Sequence, residues 1–187
     1  MALDIASLNK LGEARANVKG DYFRDGAGVV VIEELVYSEM NEGETFVARS
    51  VIIESQSKGD LDIKSKQPVI PNAPGSHVGW VQQVKKFKSA AGNIKAFLLA
   101  LLSVSQEEMD ASGKFGQTMF DLTQGKEQPA RGMVLCYSTY RQGTKANPGD
   151  LRTYVSWSPA EAANTKEKIA ARRAKLDAGQ PITAEDC

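Results

Sequence analysis

Four consecutive residues, Lys85, Lys86, Phe87 and Lys88, set three cations around one aromatic ring. The same pairing of types recurs along the chain. Tyr22 and Phe23 sit beside Lys19 and Arg24, Trp80 shares a segment with the lysines, Tyr137 and Tyr140 precede Arg141 and Lys145, and Tyr154 and Trp157 follow Arg152. Cations neutralise phosphates and aromatic rings stack on bases, so this combination is that of a single-stranded nucleic-acid binder. Each stacked base contributes roughly 1 to 3 kcal/mol.

Other chemistry finds little support. His77 is the single histidine, and nothing near it or Cys136 suggests a nucleophilic triad. It reads as a residue at the start of a strand. There is no phosphate-binding GxxxxGK[ST], no GxGxxG after a strand and no CxxC pair. Asp60 and Asp62 lie two apart in a polar loop and read as solvated charges rather than metal ligands. Glu33 and Glu34 point to opposite faces of a strand and make no carboxylate pair. No catalytic residue, metal or cofactor is expected.

The bulk composition sets the frame. The 187 residues carry 23 basic and 23 acidic side chains, with 42% hydrophobic and 25% charged residues, as in a globular protein. Zero net charge argues against coating duplex DNA by charge alone, but a local basic groove needs only uneven placement. Placement is uneven: Glu33, Glu34, Glu39, Glu42 and Glu44 form one acidic stretch, whereas Lys85, Lys86, Lys88 and Lys95 form a basic one. No apolar run approaches the roughly 18 to 20 residues of a membrane span. The first residues lack an apolar signal core, and Cys136 and Cys187 read as free thiols. Together these favour a cytoplasmic protein without membrane contact.

Patterning divides the chain into an N-terminal segment (1–27), a β domain (28–159) and a C-terminal helix and tail (160–187). Leu3, Ile5, Leu8 and Leu11 fit a short amphipathic helix. Val29 to Ile32 begin a strand, and residues 45–55 a second, with Phe46, Ala48, Ser50 and Ile52 on one face and Val47, Arg49, Val51 and Ile53 on the other. A long polar loop leads to a third strand from His77. Asn93 then caps a helix from Ile94 to about Val104, apolar on most sides. Ser105 and Glu108 form a capping box, and residues 113–130 read as irregular. A fourth strand spans Arg131 to Arg141 and a fifth Leu151 to Pro159. In the fifth, Leu151, Thr153, Val155 and Trp157 form the core face, and Arg152, Tyr154 and Ser156 the ligand or solvent face. Trp80 fits either face of its strand. Residues 160–177 suit an exposed helix, and the last residues read as frayed.

This order is that of a mainly β protein, an OB-fold-like five-stranded barrel with a helix between strands 3 and 4 sealing one end, plus a C-terminal helix. The run PNAPGSHVGWVQQVKKFKSAAGNIKAFLLALLSV, with RGMVLCYSTYRQGTKANPGDLRTYVSWSP, resembles phage-encoded OB-fold single-stranded-DNA-binding proteins of replication and recombination modules. The likeness covers roughly Gly28 to Pro159. It implies a non-enzymatic protein that coats transient single strands and meets replication or recombination proteins, with homo-oligomerisation left open. Many such proteins carry a markedly acidic tail, and this chain ends in AEDC after a basic helix.

Under this reading Lys85, Lys86, Lys88, Arg141, Lys145 and Arg152 contact phosphates, and Trp80, Phe87, Tyr140 and Tyr154 stack on bases. The alternative is a phage structural or protein-interaction module built on the same barrel.

Overall fold

A computed structural model describes residues 21–40, 43–62, 65–124, 127–143, 149 and 152–187. The expected helix over Leu3 to Leu11, the Lys19 neighbour of Tyr22, and Lys145 lie outside these residues.

The protein is mainly β. Five antiparallel strands form one sheet: β2 (Ala27–Met40), β3 (Gly43–Gln56), β4 (His77–Gln83), β5 (Val134–Gln142) and β6 (Arg152–Pro159). A two-residue strand, β1 (Asp21–Tyr22), adds in parallel to the edge of β4, giving the order β1-β4-β3-β2-β5-β6. Valine, isoleucine and aromatic residues favour this pleated, half-buried setting. β2 and β3 form the expected long hairpin. Two irregularities bend it: Ile53 is the extra residue between the Val29–Glu54 and Val30–Ile52 pairs, and Glu33 between the Ile32–Ser50 and Glu34–Arg49 pairs. The second shift places both Ile32 and Leu35, three residues apart, in the same core. Near the first, β2 and β3 approach so closely that a Cβ on Gly28 would fall 1.9 Å from the Glu54 carbonyl oxygen.

The main core lies on one sheet face. Val30, Ile32, Phe46, Ala48, Ile52, Val78, Trp80, Leu135 and Tyr137 point into it, following strand alternation. Over them lies α1 (Ala90–Leu102), which buries Ile94, Phe97, Leu98 and Leu101 against β4, β5 and β6. This helix begins four residues before its expected start. Its N-cap is Ser89, and Asn93 lies inside it, donating its side-chain amide to Gln82 Oε1 at 3.0 Å. It ends at Ser103, whose left-handed backbone turns its N–H back to the Ala100 carbonyl. The Ser105–Glu108 capping box starts α2 (Gln106–Ser112) as expected, and the hydrogen bond from the Ser105 backbone holds the Glu108 carboxyl below its usual range. A third helix, α3 (Phe115–Gln124), occupies a segment expected to be irregular.

The sheet is not closed into a barrel: no ladder joins β4 to β6 among the described residues. Four ladders separate these edges, about 19 Å across a flat sheet. Yet the Trp80 and Trp157 ring centroids lie 5.4 Å apart, so the sheet curls until its edges face each other. Aromatic rings fill the seam in place of backbone hydrogen bonds. Trp80 stacks on Phe97 at 5.3 Å, and Trp157 meets Phe97 at 5.1 Å and Phe23 at 5.5 Å. Such pairs contribute about 0.5 to 1.5 kcal/mol each beyond area burial. Trp157 thus belongs to the core, as its strand alternation implied.

The opposite sheet face carries a second, smaller core of Val31, Val51, Ile53 and Val134. The C-terminal segment covers it, which corrects the frayed end, while the helix stays exposed at most positions and docks along one side. After a 3-10 turn at Glu161–Ala163, α4 (Lys166–Asp177) packs through Leu176, and Ile182 beyond it is buried. Arg172, in the middle of this nominally polar helix, is fully buried. Its guanidinium donates to the carbonyls of Gly132 (2.6 Å), Ala163 (2.6 Å) and Asp186 (2.7 Å). Burial pulls its pKa down, but a guanidinium stays charged because its ordinary value is so high. Gly132 has φ +82°, and a Cβ there would lie 2.9 Å from the Ile169 carbonyl oxygen, so a side chain would push the helix away. Thr183 and Asp186 close the tail in a capping box, and Lys175 Nζ reaches Asp186 at 2.6 Å.

Candidate nucleic-acid interface

Strand register separates the expected site into two parts. Lys85 to Lys88 follow the end of β4, whose last residue, Gln83, pairs with Thr45, itself opposite Ser38 near the end of β2. Tyr140 and Tyr154 lie beyond the Ala27–Ser138 pair, at the other end of β2. The lysine turn and the tyrosines therefore occupy opposite ends of the sheet.

At the first end, Lys85, Lys86, Phe87 and Lys88 are all exposed. The Lys86 ammonium sits 5.8 Å from the centroid of the Phe87 ring, over one face of it. Trp80, on the preceding strand, is only 7% exposed and packed between core rings. Its expected role as a stacking platform is corrected, because no face of the indole is open to a base.

At the second end, Tyr140 and Tyr154 are a directly opposed cross-strand pair. Their rings stack at 5.5 Å with 18° between planes, and Tyr140 is 45% exposed. Because Leu135, Tyr137, Val155 and Trp157 turn to the core, alternation sends Cys136, Ser138, Tyr140, Arg152, Tyr154 and Ser156 to the outer face. Arg152 is exposed one strand repeat from Tyr154. Arg141 points the other way. Its side chain is paired with the buried Asp25 carboxylate and donates to the Leu61 carbonyl at 2.8 Å. That pairing anchors the long loop and sets a cation beside a buried acid, so Arg141 acts in the fold rather than as an open phosphate contact.

Lys58 was not singled out from sequence, because it lies in a polar loop without an aromatic neighbour. Its ammonium donates to the Thr139 carbonyl at 2.5 Å and approaches Ser138 Oγ at 3.3 Å, which places the charge on the outer face beside the tyrosines. His77 Nδ1 lies 2.9 Å from Glu33 Oε2. Asp62 Oδ1 accepts from the Ser65 backbone N–H at 2.7 Å and organises a loop turn. Among the described residues, no group of three His, Cys, Asp or Glu side chains converges as a metal site, and no helix is long and apolar enough to cross a membrane. No family model matches the chain, and no curated protein matches it.

Proposed function

We propose that the protein binds single-stranded DNA without catalysing a reaction, largely independently of sequence. The observation that carries this reading is the Tyr140–Tyr154 pair. Two phenol rings stack on the outer face of a sheet, one of them nearly half exposed, with the Arg152 cation on the same face. Exposed rings next to cations suit base stacking and phosphate contact together. The exposed turn of Lys85, Lys86, Phe87 and Lys88 supplies a second basic-aromatic surface at the far end of the sheet.

The strand pairing supports an OB-like reading in which β2 to β6 take the places of the five barrel strands. β2 pairs with β3 and β5, β3 with β4, and β5 with β6, and among the described residues no ladder joins β4 to β6. A role in phage DNA replication or recombination, in contact with the proteins of those processes, rests on the resemblance of the sequence alone.

The test is fluorescence anisotropy of labelled oligo-dT titrated at low and moderate salt, with matched duplex as competitor. The expected result is salt-sensitive binding with a log–log slope of about −0.7 per phosphate neutralised, which duplex does not displace. Absence of binding at low salt would reject this reading and favour a protein-interaction module.

A further inference from the structure

We propose that the outer face of β5 and β6 is a track for the bound strand, leading from the tyrosine pair past Lys58 to a depression over Gly28, and this rests on the single-strand reading above. The track is a row of cross-strand pairs: Gln142 with Arg152, Tyr140 with Tyr154, Ser138 with Ser156, and Cys136 with Ser158. Successive pairs are about 7 Å apart along the strands. The first pair carries a cation and the second the stacked rings. The third carries two hydroxyls, with the Lys58 ammonium beside Ser138. An ammonium has three donors. The Thr139 carbonyl and Ser138 Oγ engage two, leaving one for a phosphate.

Beside the third and fourth pairs, across β2 and β3, lies a depression of about 400 Å³, lined by Gly28, Glu54, Ser55 and Cys136 among others. Strand backbone and small or apolar residues, among them Gly28, Ala27 and Val29, line much of it, so the depression receives a base. The C-terminal segment bounds this end of the track, since Ala160, Ala163 and Cys187 join Val29 in the smaller core.

The experiment uses the full chain and oligo-dT. Lys58→Gln is compared with the unaltered protein by anisotropy across a salt series, and Cys136 alkylation is followed in a Cys187→Ser background with and without oligo-dT. The expected result is weaker binding by Lys58→Gln, with the salt slope reduced in magnitude by about 0.7. Saturating oligo-dT should also slow Cys136 alkylation several-fold. Where Lys58→Gln lowers Tm, Ser156→Asp, which sets a carboxylate on the third pair, reads the same track and should weaken binding several-fold. An unchanged salt slope in a folded Lys58→Gln, unchanged affinity in Ser156→Asp, or an unprotected Cys136, in a protein that binds oligo-dT, overturns the track but leaves single-strand binding standing. No binding of oligo-dT by the unaltered protein overturns both.

Discussion

Trp80 and Trp157 meet edge to face, 5.4 Å between centroids and 76° between planes, although four ladders separate their strands in the sheet. This contact holds the sheet curled where no backbone ladder does so. Trp157→Ala should therefore cost about 3 kcal/mol or more, the range of aromatic truncations in cores. Urea unfolding followed by circular dichroism measures it, and a loss under 1 kcal/mol would show that the seam is held elsewhere.

Arg172 fixes the C-terminal segment by bonding three carbonyls at once. Arg172→Ala leaves these acceptors without their donor, and each buried unpaired group costs about 1 to 3 kcal/mol. A marked drop in Tm and early proteolytic cleavage after Pro159 are expected. Arg172→Lys should recover little, because an ammonium lacks the planar fork that reaches three separate carbonyls.

Acid should loosen the same segment through Asp186. Its hydrogen bond from Lys175, followed by that from the Thr183 backbone, holds the Asp186 carboxyl below its ordinary range. A depressed folded-state pKa contributes stability that is fully present above the unfolded value and is lost as pH falls through the folded one. The Tm difference between the unaltered protein and Asp186→Asn should be positive at neutral pH and vanish in acid. A difference independent of pH would contradict this linkage.

The separation of the lysine turn from the tyrosine pair makes affinity depend on oligonucleotide length. Replacing Lys85, Lys86 and Lys88 together by Glu should weaken binding of long oligo-dT without unfolding the domain, whereas oligomers too short to span the sheet lose much less. Anisotropy over a length series separates the cases. Equal loss at every length would place the lysines and tyrosines in one contact.

Much of this was legible in the sequence where period and residue type agreed. Alternation in residues 46–53 assigned both faces correctly, in the last strand it sent Val155 and Trp157 to the core although Thr153 is exposed, and the Ser105 capping box marked a real helix start. The start of α1 was not legible, because Asn93 is a strong capping type, yet its amide is used by Gln82. α3 was hidden by Gly116 and by Thr118, Thr123 and the surrounding polar residues. The docked tail was hidden because its anchor, Arg172, reads as a surface residue in a basic helix. The split of the site could have been found: the end of the third strand and the end of the fourth run in opposite directions in an antiparallel pattern. The open seam could not, since only the curled sheet shows that rings stand where a ladder was expected.

The most direct test is the affinity of the Tyr140→Ala, Tyr154→Ala double variant for oligo-dT at low salt, beside its Tm. A cross-strand aromatic pair is worth only about 0.2 to 1 kcal/mol to the sheet, so Tm should change little. Loss of a stacked base at about 1 to 3 kcal/mol should weaken binding by roughly fivefold to more than a hundredfold. Unchanged affinity in a folded variant would contradict the claim that these two rings form the surface on which single-stranded DNA stacks.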